Sequence, residues 1–76
     1  MEAAGVRNKV RVYRATFGMT QEQLGAQLGV SRQTVIAIES NKYSPSLSLA
    51  LRMAALFRVK VEDLFLLDEE EEDGKS

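Results

Sequence analysis

The segment from Thr20 to Glu39, TQEQLGAQLGVSRQTVIAIE, constrains this chain more than any other, because its caps and stops leave room for one local geometry. Thr20 is a good N-cap. Gln23, three residues on, completes a capping box, and Met19 is placed to staple onto Leu24. Leu24 and Leu28 fall one turn apart and give the helix a single buried stripe, while Gln21, Glu22, Ala26 and Gln27 stay outside. Gly29 ends the helix, since a left-handed residue closes it without steric cost only when it lacks a Cβ. Ser31 is a second N-cap two residues later, so the two helices meet through a sharp turn at a steep angle.

The second helix has two different faces. At about 100° per residue, Val35 and Ile38 point one way with Ser31 beside them, whereas Gln33, Ala37 and Ser40 point the other way, flanked by Arg32 and Ile36. An ordinary surface helix carries Glu and Lys pairs at i,i+4 on its outer face, and this one carries none. It offers an amide, a guanidinium and small residues near its N-terminus, the end that reaches base edges when a helix lies in the major groove of DNA.

With these residues in view, the chain resembles the phage repressor and Cro type of helix-turn-helix domain, in particular the small single-domain regulators with a pattern like TQEQLA..LGVSRQTI..IE.GKY.PSL.LAL.IA..F.V..E.LF. The match runs from about Val10 to Phe65. Its words are short, but their order and spacing together are specific. The resemblance implies an all-α fold of five helices, with the helix-turn-helix formed by the second and third, and a role in binding double-stranded DNA.

Composition narrows the alternatives. A chain of 76 residues is near the size where one core gives only a few kcal/mol, so self-association would add support. No Cys and no His means no disulfide, no thiolate zinc site, no catalytic triad and no imidazole switch. We therefore expect no enzyme, no metal and no cofactor. No apolar run of some 18 residues and no leader is present, so the expected location is the cytoplasm. The net charge of −1 conceals a segregation. Residues 1–67 hold nine Lys or Arg against five acids, giving +4, and the last nine hold six acids and one Lys, giving −5. A basic folded part with an acidic tail suits a nucleic-acid binder.

Along the chain, residues 1–5 show no periodicity and are expected to fray, 6–67 to form the DNA-binding domain, and 68–76 to form an acidic disordered tail. Val6, Val10, Tyr13 and Phe17 recur at helical spacing beside a basic stripe of Arg7, Arg11 and Arg14, which predicts a first helix from Val6 that Gly18 ends. In the family that the chain resembles, an arginine at the end of the first helix pairs with a glutamate at the end of the recognition helix. Arg14 and Glu39 occupy those positions; the alternative is that both are solvated.

The loop SNKYSP after Glu39 is rich in turn formers, with Asn41 able to take a left-handed cap and Pro45 unable to continue a helix. It is expected beside the DNA backbone. Lys42 supplies charge, and Ser40, Asn41 and Tyr43 supply hydrogen bonds to phosphate. Tyr43 could equally be a loop aromatic packed on the fourth helix. Gln21, at the first turn of its helix, lies where an anion is favoured, and in the resembling family this glutamine touches phosphate; a merely exposed glutamine would look the same. Ser31 is a further phosphate candidate. For base readout, Gln33 can bond N6 and N7 of adenine, Arg32 can take guanine or a phosphate, and Ala37 and Ile36 can offer apolar contact, Ile36 alternatively packing on the following loop. Such thin readout asks for two subunits on a pseudo-palindrome.

The fourth helix, from a Ser46 cap to about Phe57, has an apolar arc wider than one face needs, interrupted by Ser48 and Arg52. Leu47, Ala50, Ala54 and Phe57 suffice for a core, which leaves Leu49, Met53 and Leu56 for a homodimer contact or for cover by the first and fifth helices. The segment RVKVEDLFLL resembles the family's last helix with two departures: Arg58 stands where Gly or Asn often ends the fourth helix, and Lys60 where Ser or Thr often caps the fifth. A short or irregular fifth helix is expected, with Val61, Leu64 and Phe65 closing the core. Leu66 and Leu67, lacking an evident internal partner, join the expected dimer contact.

The acidic run 68–73 is either a solvated tail or a segment that folds over the basic face and competes with phosphate. The leading expectation for the whole is a dimeric regulator, in particular a repressor that occupies a promoter. An antitoxin or restriction-modification controller subunit and a protein-bridging coactivator remain as alternatives. No effector-binding domain fits in the remaining residues.

Overall fold

In the computed structural model, residues 6–67 are described; the expectations for 1–5 and for the acidic run lie outside them. The order of elements is β1 (Val6–Asn8), α1 (Val10–Thr16), α2 (Gln21–Leu28), α3 (Arg32–Glu39), α4 (Leu47–Phe57), α5 (Val61–Leu64) and β2 (Phe65–Leu67). Five helices form the body, as expected, and a two-stranded antiparallel sheet joins the two ends of the described chain.

That sheet corrects two expectations. Val6 does not open the first helix, which begins at Val10. The Oδ1 of Asn8 accepts from Val10 N–H at 3.0 Å, and Lys9 N–H donates to Leu64 O at 2.9 Å, so the chain is held extended up to that point. Leu66 and Leu67 do have an internal partner: Val6 pairs with Leu67, Arg7 with Leu66 and Asn8 with Phe65. Strand pairing between residues some sixty apart leaves no trace in local periodicity.

Four helices end in the same way. Gly18, Gly29, Asn41 and Arg58 all take positive φ, between 62° and 75°. In each case the next residue's N–H returns to the carbonyl five residues earlier, as in Met19 to Arg14, Val30 to Gly25, Lys42 to Ala37 and Val59 to Ala54. This motif satisfies carbonyls that a helix end would otherwise strand. Arg58 reaches the left-handed region despite its Cβ, at a cost of ~1 kcal/mol. The Lys60 side chain has no acceptor and makes no cap; Asp63 alone answers, accepting from Lys60 N–H at 3.3 Å, and α5 is a single turn.

The core gathers Val10, Leu24, Leu28, Val35, Ile38, Met53, Phe57 and Leu64, with Leu49 and Ala54 beside them. Tyr13 stacks on Phe57 with ring centroids 5.8 Å apart, and Phe17 meets Phe57 edge-on at 5.4 Å, which seats α1 across the end of α4. On α4 the buried stripe is Leu49, Ala50, Met53, Ala54 and Phe57. Leu49 and Met53, expected at a dimer contact, are therefore core residues, while Leu47, expected in the core, is 72% exposed. Leu56 is partly buried against the core. Where apolar residues cover most of a helix, periodicity alone does not say which stripe faces inward.

Candidate nucleic-acid interface

The helix-turn-helix rests on complete local chemistry. Thr20 Oγ1 accepts from Gln23 N–H at 3.0 Å, and Gln23 Oε1 accepts from Thr20 N–H at 2.8 Å, closing the capping box over the start of α2. Ser31 Oγ accepts from Thr34 N–H at 3.1 Å and fixes the first turn of α3. Between them the backbone turns tightly around Gly25. A Cβ there would lie 2.7 Å from Val30 O, so the turn closes only because the residue is glycine. Gly25 was not singled out in the sequence, although a glycine inside a helical pattern marks close approach.

Behind α3, three elements meet at Glu39, whose side chain is 2% exposed. Arg14 Nε lies 2.6 Å from Glu39 Oε2, and a second guanidinium nitrogen lies 3.3 Å from Oε1. The third, Nη1, donates to Met19 O at 2.9 Å. Gln21 Nε2 donates to Glu39 Oε1 at 3.1 Å. A guanidinium offers five N–H groups in a fixed fork, so one arginine ties the end of α3 to α1 and to the entry of α2. Gln21 thus spends one amide hydrogen inward and keeps the other, beside the N-terminus of α2.

Two further ties were not anticipated from sequence. Asn8 Nδ2 donates to Ile38 O and to Asn41 Oδ1, both at 2.8 Å, while its Oδ1 starts α1. It fastens β1 to the end of α3 and to the loop behind it. Arg52 donates to Leu28 O at 2.6 Å, filling a carbonyl at the end of α2 from α4. An asparagine two residues ahead of a helix is a visible turn signal, but its second reach, to residues 38 and 41, is tertiary.

The outward side of α3 carries Arg32 and Gln33, both exposed, followed by Ile36 and Ala37, both half-buried. Lys42 and Tyr43 are exposed in the loop, and Asn41 keeps its amide hydrogens while its oxygen serves Asn8. Ser40 departs from expectation: its hydroxyl donates back to Ile36 O at 2.9 Å and Ala37 O at 3.3 Å. A hydroxyl has one hydrogen, so in this conformation Ser40 has no donor left for a phosphate. The Ser31 hydroxyl lies 3.0 Å from Thr34 Oγ1, and one of the two hydrogens remains available outward.

Among the described residues no group of three or more His, Cys, Asp or Glu is arranged to hold a metal ion, and no helix is long and apolar enough to cross a membrane. The chain can make hydrogen bonds and apolar contacts from a rigidly supported helix and place positive charge at its two ends.

Known proteins are similar to this chain in sequence and in fold. The family profile described as Helix-turn-helix matches residues 10–64. The uncharacterized HTH-type transcriptional regulator MJ0272 of Methanocaldococcus jannaschii is 53% identical over 66 residues, covering 87% of this chain and all of that protein. The corresponding figures for the uncharacterized HTH-type transcriptional regulator YgzD of Bacillus subtilis are 54% over 65 residues, 86% and 98%. Among solved structures, the restriction-modification controller protein C.AhdI from Aeromonas hydrophila superposes with a TM-score of 0.65 at 25% identity, over 72% of this chain and 80% of that one.

Proposed function

The chain belongs to the phage repressor and Cro type of helix-turn-helix family, among HTH-type transcriptional regulators, and from that premise we propose that it binds double-stranded DNA sequence-specifically as a homodimeric repressor. The observation that carries this reading is the outward face of α3, which presents Arg32 and Gln33 while Arg14, Gln21 and Asn8 hold the helix from behind. Gln33 pairs with adenine N6 and N7, and Arg32 with guanine or the adjacent phosphate. Ile36 and Ala37 offer apolar contact to a thymine methyl. Gln21 and Ser31 at two helix N-termini, and Asn41, Lys42 and Tyr43 in the loop, hold the backbone.

Four side chains discriminate weakly alone. Two subunits on a pseudo-palindrome, with half-sites ~10 bp apart, multiply the discrimination. The protein acts in the cytoplasm, without cofactor, metal or catalytic step, and represses by occupying a promoter. The resemblance to a restriction-modification controller favours one second reading, in which the regulated gene lies beside a nuclease or toxin gene.

Selection of random duplex DNA by the purified protein at near-physiological salt tests this. Enrichment of an inverted repeat is expected. Weak, salt-sensitive binding with no enriched sequence would overturn the reading in favour of protein bridging.

A further inference from the structure

The left-handed stop at the end of α3 is made by backbone alone. Asn41 N–H donates to Ile38 O at 3.0 Å and Lys42 N–H to Ala37 O at 2.9 Å, and Gly18 and Gly29 close α1 and α2 with the same five-residue return and no side chain. Glycine takes a φ of 63° without strain, and in the family pattern IE.GKY it is glycine that precedes the lysine. The Asn41 side chain is therefore not needed for the turn it sits in.

Its oxygen is nevertheless held, and fixed backbone groups set the polarity of that contact. Val10 N–H can only donate, so the Asn8 atom that meets it at 3.0 Å is Oδ1. Ile38 O can only accept, so the Asn8 atom that meets it at 2.8 Å is Nδ2. The second hydrogen of Nδ2 reaches Asn41, also at 2.8 Å, and only an acceptor can receive it, so Asn41 turns Oδ1 toward β1. A carboxamide is planar, with its two polar atoms on opposite branches. Holding the oxygen leaves the NH2 of this exposed residue on the branch turned away from β1, where neither hydrogen has a partner among the described residues.

We propose that Asn8 is a positioning residue for the DNA backbone: through one amide hydrogen it aims the Asn41 carboxamide donor-outward, so that the Asn41 NH2 meets a phosphate oxygen beside Lys42. This deepens the DNA-binding reading above and rests on it.

A phosphate offers acceptors only. An Asn41 amide free to turn over would present its oxygen as readily as its nitrogen, and the oxygen would oppose the phosphate. A side chain ordered before the ligand arrives also escapes the loss of affinity that ordering on binding brings. Asn8 is suited to this because it is anchored from the other side. It pairs with Phe65 across the sheet, and the next N–H, that of Lys9, donates to Leu64 O at 2.9 Å. Ile38 O accepts from both Asn8 Nδ2 and Asn41 N–H, so strand and turn share one carbonyl with both lone pairs filled.

The test is the affinity of four proteins for a short random-sequence duplex at low salt: the wild type, Asn8→Ala, Asn41→Gly and the double variant, each checked for folding by circular dichroism at the assay temperature. Asn41→Gly keeps the turn and removes the donor, and is expected to weaken binding about 10-fold. Asn8→Ala should weaken it about 5-fold. The double variant should bind no more weakly than Asn41→Gly alone, because a residue that acts by aiming the Asn41 amide has nothing to aim once the amide is gone. A merely structural Asn8 would cause the same loss in both backgrounds, so additive losses overturn the proposal. Nitrogen relaxation of the Asn41 side-chain NH2 in the free protein should show an ordered group in the wild type and a mobile one in Asn8→Ala, and a mobile group in the wild type overturns it as well.

If Asn8→Ala does not stay folded, Asn8→Asp takes its place in the same cycle. It keeps the acceptor for Val10 N–H and loses the donor to Asn41, and its added charge acts in both Asn41 backgrounds and cancels. If Asn41→Gly binds as tightly as the wild type while Lys42→Ala binds less tightly, the role of Asn8 falls and the DNA reading stands. If the wild type binds no duplex even at low salt, both fall.

Discussion

Arg14 Nε lies 2.6 Å from a carboxylate oxygen of Glu39, across 25 residues of sequence, and the same guanidinium holds the Met19 carbonyl that precedes the cap of α2. The angle at which α3 leaves the body is thus set by a charged pair whose acidic member is 2% exposed. Breaking such a pair from one side strands a buried charge. Glu39→Ala and Arg14→Ala are each expected to cost ~2–4 kcal/mol, and the double variant clearly less than their sum. Urea unfolding of the four proteins gives the coupling directly, and additive losses would mean the contact does not act as a pair.

The exposed side chains of α3 and its loop divide by role. Gln33→Ala should lower discrimination at one base pair by ~1–3 kcal/mol and hardly change binding to unrelated DNA. Lys42→Ala should weaken all duplexes alike and reduce the slope of log K against log salt by ~1. Titrations at three salt concentrations against specific and random duplexes separate the two patterns.

Asn8 serves three groups at once: Val10 N–H, Ile38 O and Asn41 Oδ1. Asn8→Ala should lose about 1–3 kcal/mol of stability. It should also loosen β1 from the loop that carries Lys42, visible as faster amide exchange at residues 41–43.

Arg58 closes α4 at φ 62°, where glycine fits without strain. Arg58→Gly is therefore expected to raise stability by ~1 kcal/mol or slightly less, since the unfolded chain also gains freedom. Thermal unfolding at matched protein concentration measures it, and a lower Tm would show that the Arg58 side chain contributes contacts of its own.

The acidic run 68–73 follows immediately after β2. Replacing its six carboxylates by amides should raise DNA affinity at low salt, and the advantage should shrink toward 0.5 M salt, because like-charge repulsion from the duplex is screened. Equal titration curves at low salt would remove any role for the run in DNA binding.

Local rules determined much of this protein from sequence alone. The caps at Thr20, Ser31 and Ser46, and the left-handed stops at Gly18, Gly29 and Asn41, each depend on side-chain chemistry within a few residues of the backbone they satisfy. The paired positions Arg14 and Glu39 were legible through resemblance, because a family pattern records a distant contact that periodicity does not. Tertiary structure decided the rest. Only the fold could show that Val6 and Leu67 meet in a sheet, that Asn8 and Arg52 reach carbonyls 30 and 24 residues away, and that Ser40 turns its hydrogen inward. It also chose Leu49 and Met53 for the core and left Leu47 outside. The physical reason is the same in each case: caps and turns are solved by neighbours in sequence, whereas the choice among several apolar stripes, or among several hydrogen-bond partners, is made by whichever surface packs against them.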